Sequence, residues 1–139
     1  CKNVLNAKFS KEADIVFSIF AYHHIPNSKK YLYLKKVKSV LKKGGVFVLA
    51  EIYFPDKKSG KDYYSKLFDS IPKSKRISGL KKFLMQTAAS DDFEFKVSKY
   101  FAEKQFAKEG FYKKEEVKIW PRNMNSGEDT GTFVQIFSY

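Results

Sequence analysis

Two adjacent histidines, His23 and His24, and one glutamate, Glu51, are the residues of this chain best suited to proton transfer. A neutral imidazole accepts a proton from an O–H or N–H nucleophile near neutral pH, and a carboxylate orients an amine or a hydroxyl. Each also has a structural alternative: one histidine packs under a helix, the other hydrogen-bonds the backbone, and Glu51 is a solvated strand end. The three are therefore candidate catalytic residues with both interpretations open.

The same histidines are poor candidates for a shared metal ion. Neighbouring residues on a strand or turn point in different directions, and the sequence offers no third histidine and a single cysteine, Cys1. One cysteine also excludes an internal disulfide and fits a reducing compartment. We therefore expect no metal site and a cytoplasmic location.

Two apolar runs flank these residues and are expected to position them. Residues 15–20 (IVFSIF) and 46–53 (VFVLAEIY) are typical of strands buried on both faces of a parallel sheet. Between them, apolar residues recur at helical spacing, and this helix is expected to end in a left-handed cap at Gly44 and Gly45. Because a strand that is apolar on both faces is ill suited to a sheet edge, residues 15–20 imply a further strand or another chain beside them.

The rest of the chain is predicted to be helical at first and then antiparallel. Helical spacing covers residues 61–71, 77–89 and 97–109. Residues 113–120 and 132–139 are typical of two strands, and the Pro, Asn and Gly residues between them favour an antiparallel pair. No apolar run approaches the roughly 18 residues of a membrane span, so we expect no membrane partner.

Four motifs, taken in order, resemble the second half of a class I S-adenosylmethionine-dependent methyltransferase. They are Asp-Ile-Val at 14–16, His-His-Ile-Pro at 23–26, Val-Leu-Lys-Lys-Gly-Gly at 40–45 and QFAKEGFY at 105–112. The resemblance implies an α/β fold, a partial Rossmann-like methyltransferase fold. In it the fourth and fifth strands are parallel, the seventh is antiparallel to the sixth, and helices lie on the faces. The Gly-rich cofactor loop of that family belongs upstream of these motifs.

The resemblance also implies S-adenosyl-L-methionine as the cofactor and assigns residues to it. Residues 1–139 would form a single partial domain in which a helical insertion at 54–96 covers the site. Tyr53 would contact the methyl acceptor. The residues expected to border the adenine and the methionine part of the cofactor are Asn6, Ala7, Ser18, Ile19 and Phe20.

Positive charge is concentrated in the middle of the chain. The formal net charge is +12, and residues 27–82 by themselves carry +12. Such a segment favours RNA or another anionic partner. Lysine, however, supplies all the basic residues except Arg76 and Arg122. Since bidentate phosphate and base contacts favour arginine, a solvated basic face explains the charge as well.

These observations lead to one functional hypothesis and two alternatives. The hypothesis is a methyltransferase that acts on a small-molecule or transfer RNA nucleophile, with a missing N-terminal half or a partner chain beside residues 15–20. The first alternative is a non-catalytic remnant or partner subunit that docks through the unfilled sheet edge. The second is a basic RNA-binding module, whose affinity must fall steeply with salt. By themselves, the 139 residues are expected to be inactive.

Overall fold

A four-stranded mixed sheet lies at the centre of the structure, a computed structural model that describes residues 4–89, 94–122 and 128–139. Its strands are β1 (Ala13–Ile19), β2 (Leu41–Tyr53), β3 (Tyr112–Trp120) and β4 (Gly131–Ser138). The helices are α1 (Lys30–Val40), α2 (Lys57–Ser70), α3 (Leu80–Ala89) and α4 (Lys99–Lys108). Short 3-10 turns lie at Val4–Asn6, Tyr22–His24, Asn27–Lys29 and Lys73–Lys75.

The strand order in the sheet is β1-β2-β4-β3. β1 runs parallel to β2, with Phe17 opposite Val48, and β4 runs antiparallel to both β2 and β3, with Glu51 opposite Phe133. The predicted parallel crossover and the predicted antiparallel pair are therefore confirmed, together with the Rossmann-like α/β class. The crossover through α1 places the carboxyl ends of β1 and β2 at the same edge of the sheet.

Helices α1 and α4 cover one face of the sheet and form the main hydrophobic core with it. The centre of this core is aromatic: the ring of Phe106 stacks 5.8 Å from that of Phe47 and 4.3 Å from that of Phe137. Helix α1 adds Leu34 and Val37 from its apolar stripe. Each fully buried side chain of this size contributes about 1.5–3 kcal/mol to folding. We call this side of the sheet the packed face.

The opposite side of β1 and β2, here called the open face, is poorly covered by the described part of the chain. Ile15, Phe17 and Ile19 of β1 are each more than half exposed, and the last two reach 64%. Val46 and Val48 of β2 continue this face and are half-buried. Among the described strands β1 pairs with β2 alone, so its second edge is open as well.

Helices α2 and α3 form a second, smaller cluster at the carboxyl end of β2. There the ring of Phe54 lies 5.1 Å from that of Tyr63 and 5.9 Å from that of Tyr64. Of the predicted helical insertion at 54–96, residues 90–93 lie outside the described ranges. Within those ranges, none of the helices combines the length and the apolar character needed to cross a bilayer.

The start of α2 differs from the prediction. The helix begins at Lys57, four residues before the expected start at residue 61. The cause is local, because the Asp56 carboxylate accepts the backbone N–H of Ser59 at 2.7 Å and caps the first turn. Similarly, α3 begins at Leu80 and not at residue 77, after Gly79 with a φ of +76°.

Gly44 and Gly45 do not cap α1, so this prediction was wrong. The helix ends at Val40, and both glycines lie inside the first part of β2. Gly44 has a φ of +79°, a conformation that residues with a side chain rarely adopt. A Cβ atom on Gly45 would lie 2.9 Å from the carbonyl oxygen of Asp14. The two glycines therefore let the chain turn sharply and bring β2 close to β1.

Candidate functional site

The loop that joins β1 to α1 lies beyond the carboxyl ends of the two parallel strands, the edge at which open α/β sheets bind ligands. It starts with Phe20, whose φ of +48° is unusual for a bulky residue and costs about 1–3 kcal/mol. The Phe20 N–H donates to the Ala50 carbonyl of β2 at 2.9 Å and so ties the turn to the sheet. Backbone strain of this kind concentrates at functional sites.

Glu51 and His23 form a buried pair at the base of this loop. The Oε1 atom of Glu51 lies 2.5 Å from Nδ1 of His23, and Oε2 accepts the His23 backbone N–H at 3.0 Å. Because Glu51 is 1% exposed and His23 is 6% exposed, Glu51 is not a solvated strand end. An ionised carboxylate can only accept hydrogen bonds, so opposite one a neutral His23 imidazole would carry its proton on Nδ1 and leave Nε2 as an acceptor.

His24 lies in front of this pair. Its ring centroid is 4.2 Å from that of His23, and the two ring planes make an angle of 53°. His24 is exposed and lines a cavity of about 520 Å³ at the carboxyl end of β1, here called the His24 cavity. The structure thus brings the three candidate catalytic residues together, but of the three His24 alone borders the cavity. Direct contact with a bound molecule would fall to His24, with His23 and Glu51 behind it.

Two of the predicted cofactor residues, Ser18 and Ile19, line the His24 cavity. Ser18 is buried, and its Oγ atom makes no hydrogen bond of ordinary length and angle in the described part of the chain. The Tyr33 hydroxyl is a polar neighbour: burial raises the pKa of Tyr33, and its interaction with Ser18 partly offsets that rise. The cavity is lined by apolar side chains such as Leu5 and Ile19 and by the polar side chains of His24 and Lys29, so it fits a molecule with an apolar body and a polar end.

The other predicted cofactor residues lie elsewhere. Asn6 lines a shallower cavity of about 410 Å³ on the outer side of α1. Leu5 and Lys29 line both cavities, so the two adjoin. Ala7 and Phe20 line neither of them. In the described ranges no group of three or more His, Cys, Asp and Glu side chains is placed to hold a metal ion. The cofactor roles of these residues stay predictions.

Tyr53, the predicted substrate contact, lies in the main core. It is fully buried, and its hydroxyl donates to Oε1 of Gln135 at 2.7 Å. The side-chain nitrogen of Gln135 donates in turn to Glu116 at 2.8 Å and to Glu103 at 3.1 Å. Burial raises the pKa of Tyr53 well above its ordinary value. In this arrangement Tyr53 links β2 to β4, β3 and α4, and its role toward a substrate stays a prediction.

The sequence interpretation missed Lys30, which is fully buried next to the histidines. Its Nζ atom donates to the carbonyl oxygens of Tyr22 at 2.8 Å and Ile25 at 2.7 Å. Burial lowers the pKa of Lys30 to about 8, against a smaller upward effect of the Glu51 charge. A signal was present in the sequence: Lys30 precedes Leu34 by four residues and so falls on the apolar stripe of α1.

The chain has the fold of S-adenosylmethionine-dependent methyltransferases. It matches such an enzyme from Clostridium acetobutylicum ATCC 824 with a TM-score of 0.60 and 13% identity, over 99% of this chain and 63% of that one. PigF with SAH matches with a TM-score of 0.61 and 15% identity, over 99% and 34%. A structure described as a pericyclic reaction enzyme matches with a TM-score of 0.57 and 12% identity, over 99% and 29%. No protein-family model and no curated protein matches the sequence.

These matches concern the fold. The chain spans between 29% and 63% of the three solved chains, so it corresponds to part of each of them. A pericyclic reaction enzyme shares the fold, so the fold by itself does not determine the reaction. The residues of the site must carry the functional argument.

Proposed function

We propose that this chain is the C-terminal half of an S-adenosylmethionine-dependent methyltransferase domain and that methyl transfer takes place at the His24 cavity. One observation carries the proposal: an exposed histidine, backed by a buried His23–Glu51 pair, borders a cavity of about 520 Å³ at the ligand-binding edge of the sheet. The fold shared with PigF, which was solved with SAH, favours this cofactor.

Residues of both adjoining cavities are suited to hold the cofactor. In the His24 cavity, Ser18 would border the methionine part of the cofactor, and Ile19 and Leu5 offer apolar contacts. In the neighbouring cavity, the Asn6 amide both donates and accepts, as recognition of an adenosine requires. When bound, the cofactor supplies a methyl group on a positively charged sulfur atom.

His24 is the residue proposed to take the proton that the methyl acceptor loses. With the cofactor bound and a methyl acceptor in the cavity, the His24 imidazole would accept the proton that the acceptor loses on methylation. Glu51 holds the His23 ring through its hydrogen bond, and the His24 ring packs against that of His23 at 4.2 Å. The proposed acceptor is a small-molecule nucleophile or a transfer RNA. The positive charge of residues 27–82 would favour a transfer RNA.

The open edge of β1 is the place where the rest of the domain is proposed to bind. An apolar groove of about 480 Å³ runs along this edge between β1 and α1, lined among others by Phe9, Ile15 and Val37. Phe17 continues the apolar surface on the open face. An N-terminal half of the same polypeptide is the proposed occupant, and it would also bring the Gly-rich cofactor loop. A separate partner chain is the alternative.

The mass of the native polypeptide in its source tests this proposal first. A mass about 10 kDa or more above 16.2 kDa leaves room for the first half of the sheet upstream. Calorimetry should then find that S-adenosylmethionine binds the native polypeptide and binds the 139 residues weakly or not at all. Tight binding by the 139 residues alone would contradict the proposed division of the site.

Variants of the native polypeptide separate binding from proton transfer. Ser18→Ala should weaken cofactor binding, whereas His24→Gln should leave it unchanged and slow turnover by about 100-fold or more, the typical effect of a general base. Glu115→Gln, on the exposed part of β3, is the matched control and should change neither. Normal turnover by His24→Gln would remove His24 from the mechanism.

A non-catalytic docking subunit is the second candidate function, and the exposed Phe17 and Ile19 favour it. It predicts a native mass of 16.2 kDa, no cofactor binding and capture of a separate chain along β1. The basic RNA-binding alternative predicts instead an affinity for RNA that falls steeply with salt concentration.

A further inference from the structure

We propose that Lys30 is a positioning residue: it holds the turn at Tyr22–His24 so that His24 faces the cavity. The inference rests on the proposed function for what His24 does there. The contacts of Lys30 and the test of their effect on the turn do not depend on methyl transfer.

A single side chain closes the turn from both ends. The Lys30 Nζ atom donates to the carbonyl of Tyr22, just before the two histidines, and to the carbonyl of Ile25, just after them. It also lies 4.3 Å from the centroid of the Tyr22 ring. Because Lys30 is fully buried, water has no access to replace these contacts. The two carbonyls are therefore fixed relative to α1.

Glu51 holds the same turn with the opposite charge. It accepts the backbone N–H of His23, while the His23 carbonyl accepts the N–H of Phe95 at 2.6 Å. A cation thus binds carbonyl groups of the turn and an anion binds an N–H group. Glu51 is the charged group that acts on Lys30, and it partly offsets the effect of burial on the lysine. The Tyr22 carbonyl and both main-chain groups of His23 are therefore held by protein atoms on three sides of the turn.

The position of Lys30 argues against a role in packing alone. It lies on the stripe that Leu34, Val37 and Leu41 continue, where an apolar side chain would be buried without an electrostatic cost. The hydrogen bonds that offset the cost of burying the ammonium group both go to the turn. Fixing the turn is therefore the function that explains a lysine at this position.

Nuclear magnetic resonance can report on the turn and on the fold separately, because the chain contains two histidines and one tryptophan. Lys30→Met keeps an unbranched side chain, one atom shorter, and removes the ammonium group that makes both hydrogen bonds. It should shift and broaden both imidazole signals and leave the indole signal of Trp120, in the α2–α3 cluster, in place. Lys30→Arg restores the donors and should restore the imidazole signals. Lys43→Met, at an exposed position, should change none of the three.

Two unchanged imidazole signals in a folded Lys30→Met protein would overturn the inference. If this variant unfolds, hydrogen exchange of the Lys30 ammonium group in the wild-type chain provides the test. An ammonium group held by two carbonyls should give an Nζ–H signal that is protected from exchange. Absence of this signal would reject the inference. In the native polypeptide, Lys30→Met should lower kcat by about 10- to 100-fold with KM little changed. If the native polypeptide binds no cofactor while Lys30→Met still shifts the imidazole signals, the proposed function is refuted and the inference about Lys30 stands.

Discussion

The packed face and the open face of β1 and β2 carry similar apolar side chains, yet their surroundings differ completely. On β2, Phe47 and Leu49 point to the packed face and are fully buried beneath α1 and α4. On β1, Phe17 and Ile19 point to the open face and are 64% exposed. The strands themselves do not cause this difference. Its cause is that α1 and α4, which the described chain contains, both lie on one side.

The contrast distinguishes the face of the sheet that the described chain covers from the face that it leaves exposed. The packed face has its helices, its aromatic core and a satisfied polar network at Gln135. The open face and the open edge of β1 have apolar residues without a cover in the described ranges, and monomeric proteins rarely leave a contiguous patch of this kind in water. We therefore expect mutations on the two faces to have very different effects, and these effects measure how far the contrast holds in solution.

Matched phenylalanine substitutions should give the largest difference. Phe106→Ala removes the ring that joins Phe47 to Phe137 in the packed core and should lower the free energy of unfolding by about 3–5 kcal/mol. Phe17→Ala on the open face should change it by less than about 0.5 kcal/mol. Urea denaturation of the 139-residue chain followed by circular dichroism measures both.

A cost for Phe17→Ala near that of Phe106→Ala would break the comparison, since it would mean that the open face is covered in solution. Repeating the measurement over a range of protein concentrations identifies the cover. A cost that grows with concentration indicates a second copy of the chain, and a constant cost indicates a segment of the same chain.

Matched glutamates extend the comparison to polar groups. Glu51→Gln on the packed face replaces the acceptor of the His23 ring and backbone and should cost about 2–3 kcal/mol, because buried donors are left without an ionised partner. Glu115 lies opposite Ile136, on the open-face side of β3, and is exposed. Glu115→Gln should therefore leave the free energy of unfolding unchanged. Equal stability of both variants would show that the His23–Glu51 pair is formed too weakly to hold the loop.

Local sequence patterns predicted most of the helices and strands. Long-range contacts determine which face of the sheet is covered and which side chains meet at the site. Residues 15–20 and 46–53 were recognisable as strands from their apolar runs, but a run that is apolar on both faces does not say which face finds a cover. The Gly44 and Gly45 pair signalled a sharp turn, but not that the turn lies within β2. Glu51 and His23 are 28 residues apart, so their pairing follows from the register of the fold and not from spacing in the sequence.

Lys30 shows the same limit at a single position. Its place on the α1 stripe was a signal of burial that the sequence interpretation did not use, and the acceptors that make burial of a lysine possible come from the loop before the helix. Tyr53, the methyl-acceptor contact implied by the family resemblance, packs in the main core on the same side of β2 as Phe47 and Leu49. The sequence places it on that side of the strand but does not reveal its hydrogen bond to Gln135, which is 82 residues away.

The pH dependence of stability tests the buried charge beneath the packed face. Burial lowers the pKa of Lys30 in the folded protein to about 8, from 10.5 in the unfolded chain, so between these values the unfolded chain binds the proton more readily. Raising the pH through this window therefore stabilises the folded state. From pH 7 to pH 9.5 the stability of the wild type relative to Lys30→Met should rise by about 2 kcal/mol. A pH-independent difference would show that Lys30 is solvated.

The smallest expected effect concerns the helix that covers the packed face. Ser98 caps α4, and its Oγ atom accepts the Phe101 N–H at 3.1 Å, so Ser98→Ala should lower the free energy of unfolding by about 1 kcal/mol. Ser98→Asp keeps an acceptor at the same position and should restore most of the loss, which urea denaturation can resolve. Because α4 carries Phe106 into the core, the loss in Ser98→Ala should be smaller when Phe106 is already alanine. Strict additivity of the two changes would mean that the cap stabilises α4 without improving its contact with the sheet, and the packed face would then depend on its aromatic side chains alone.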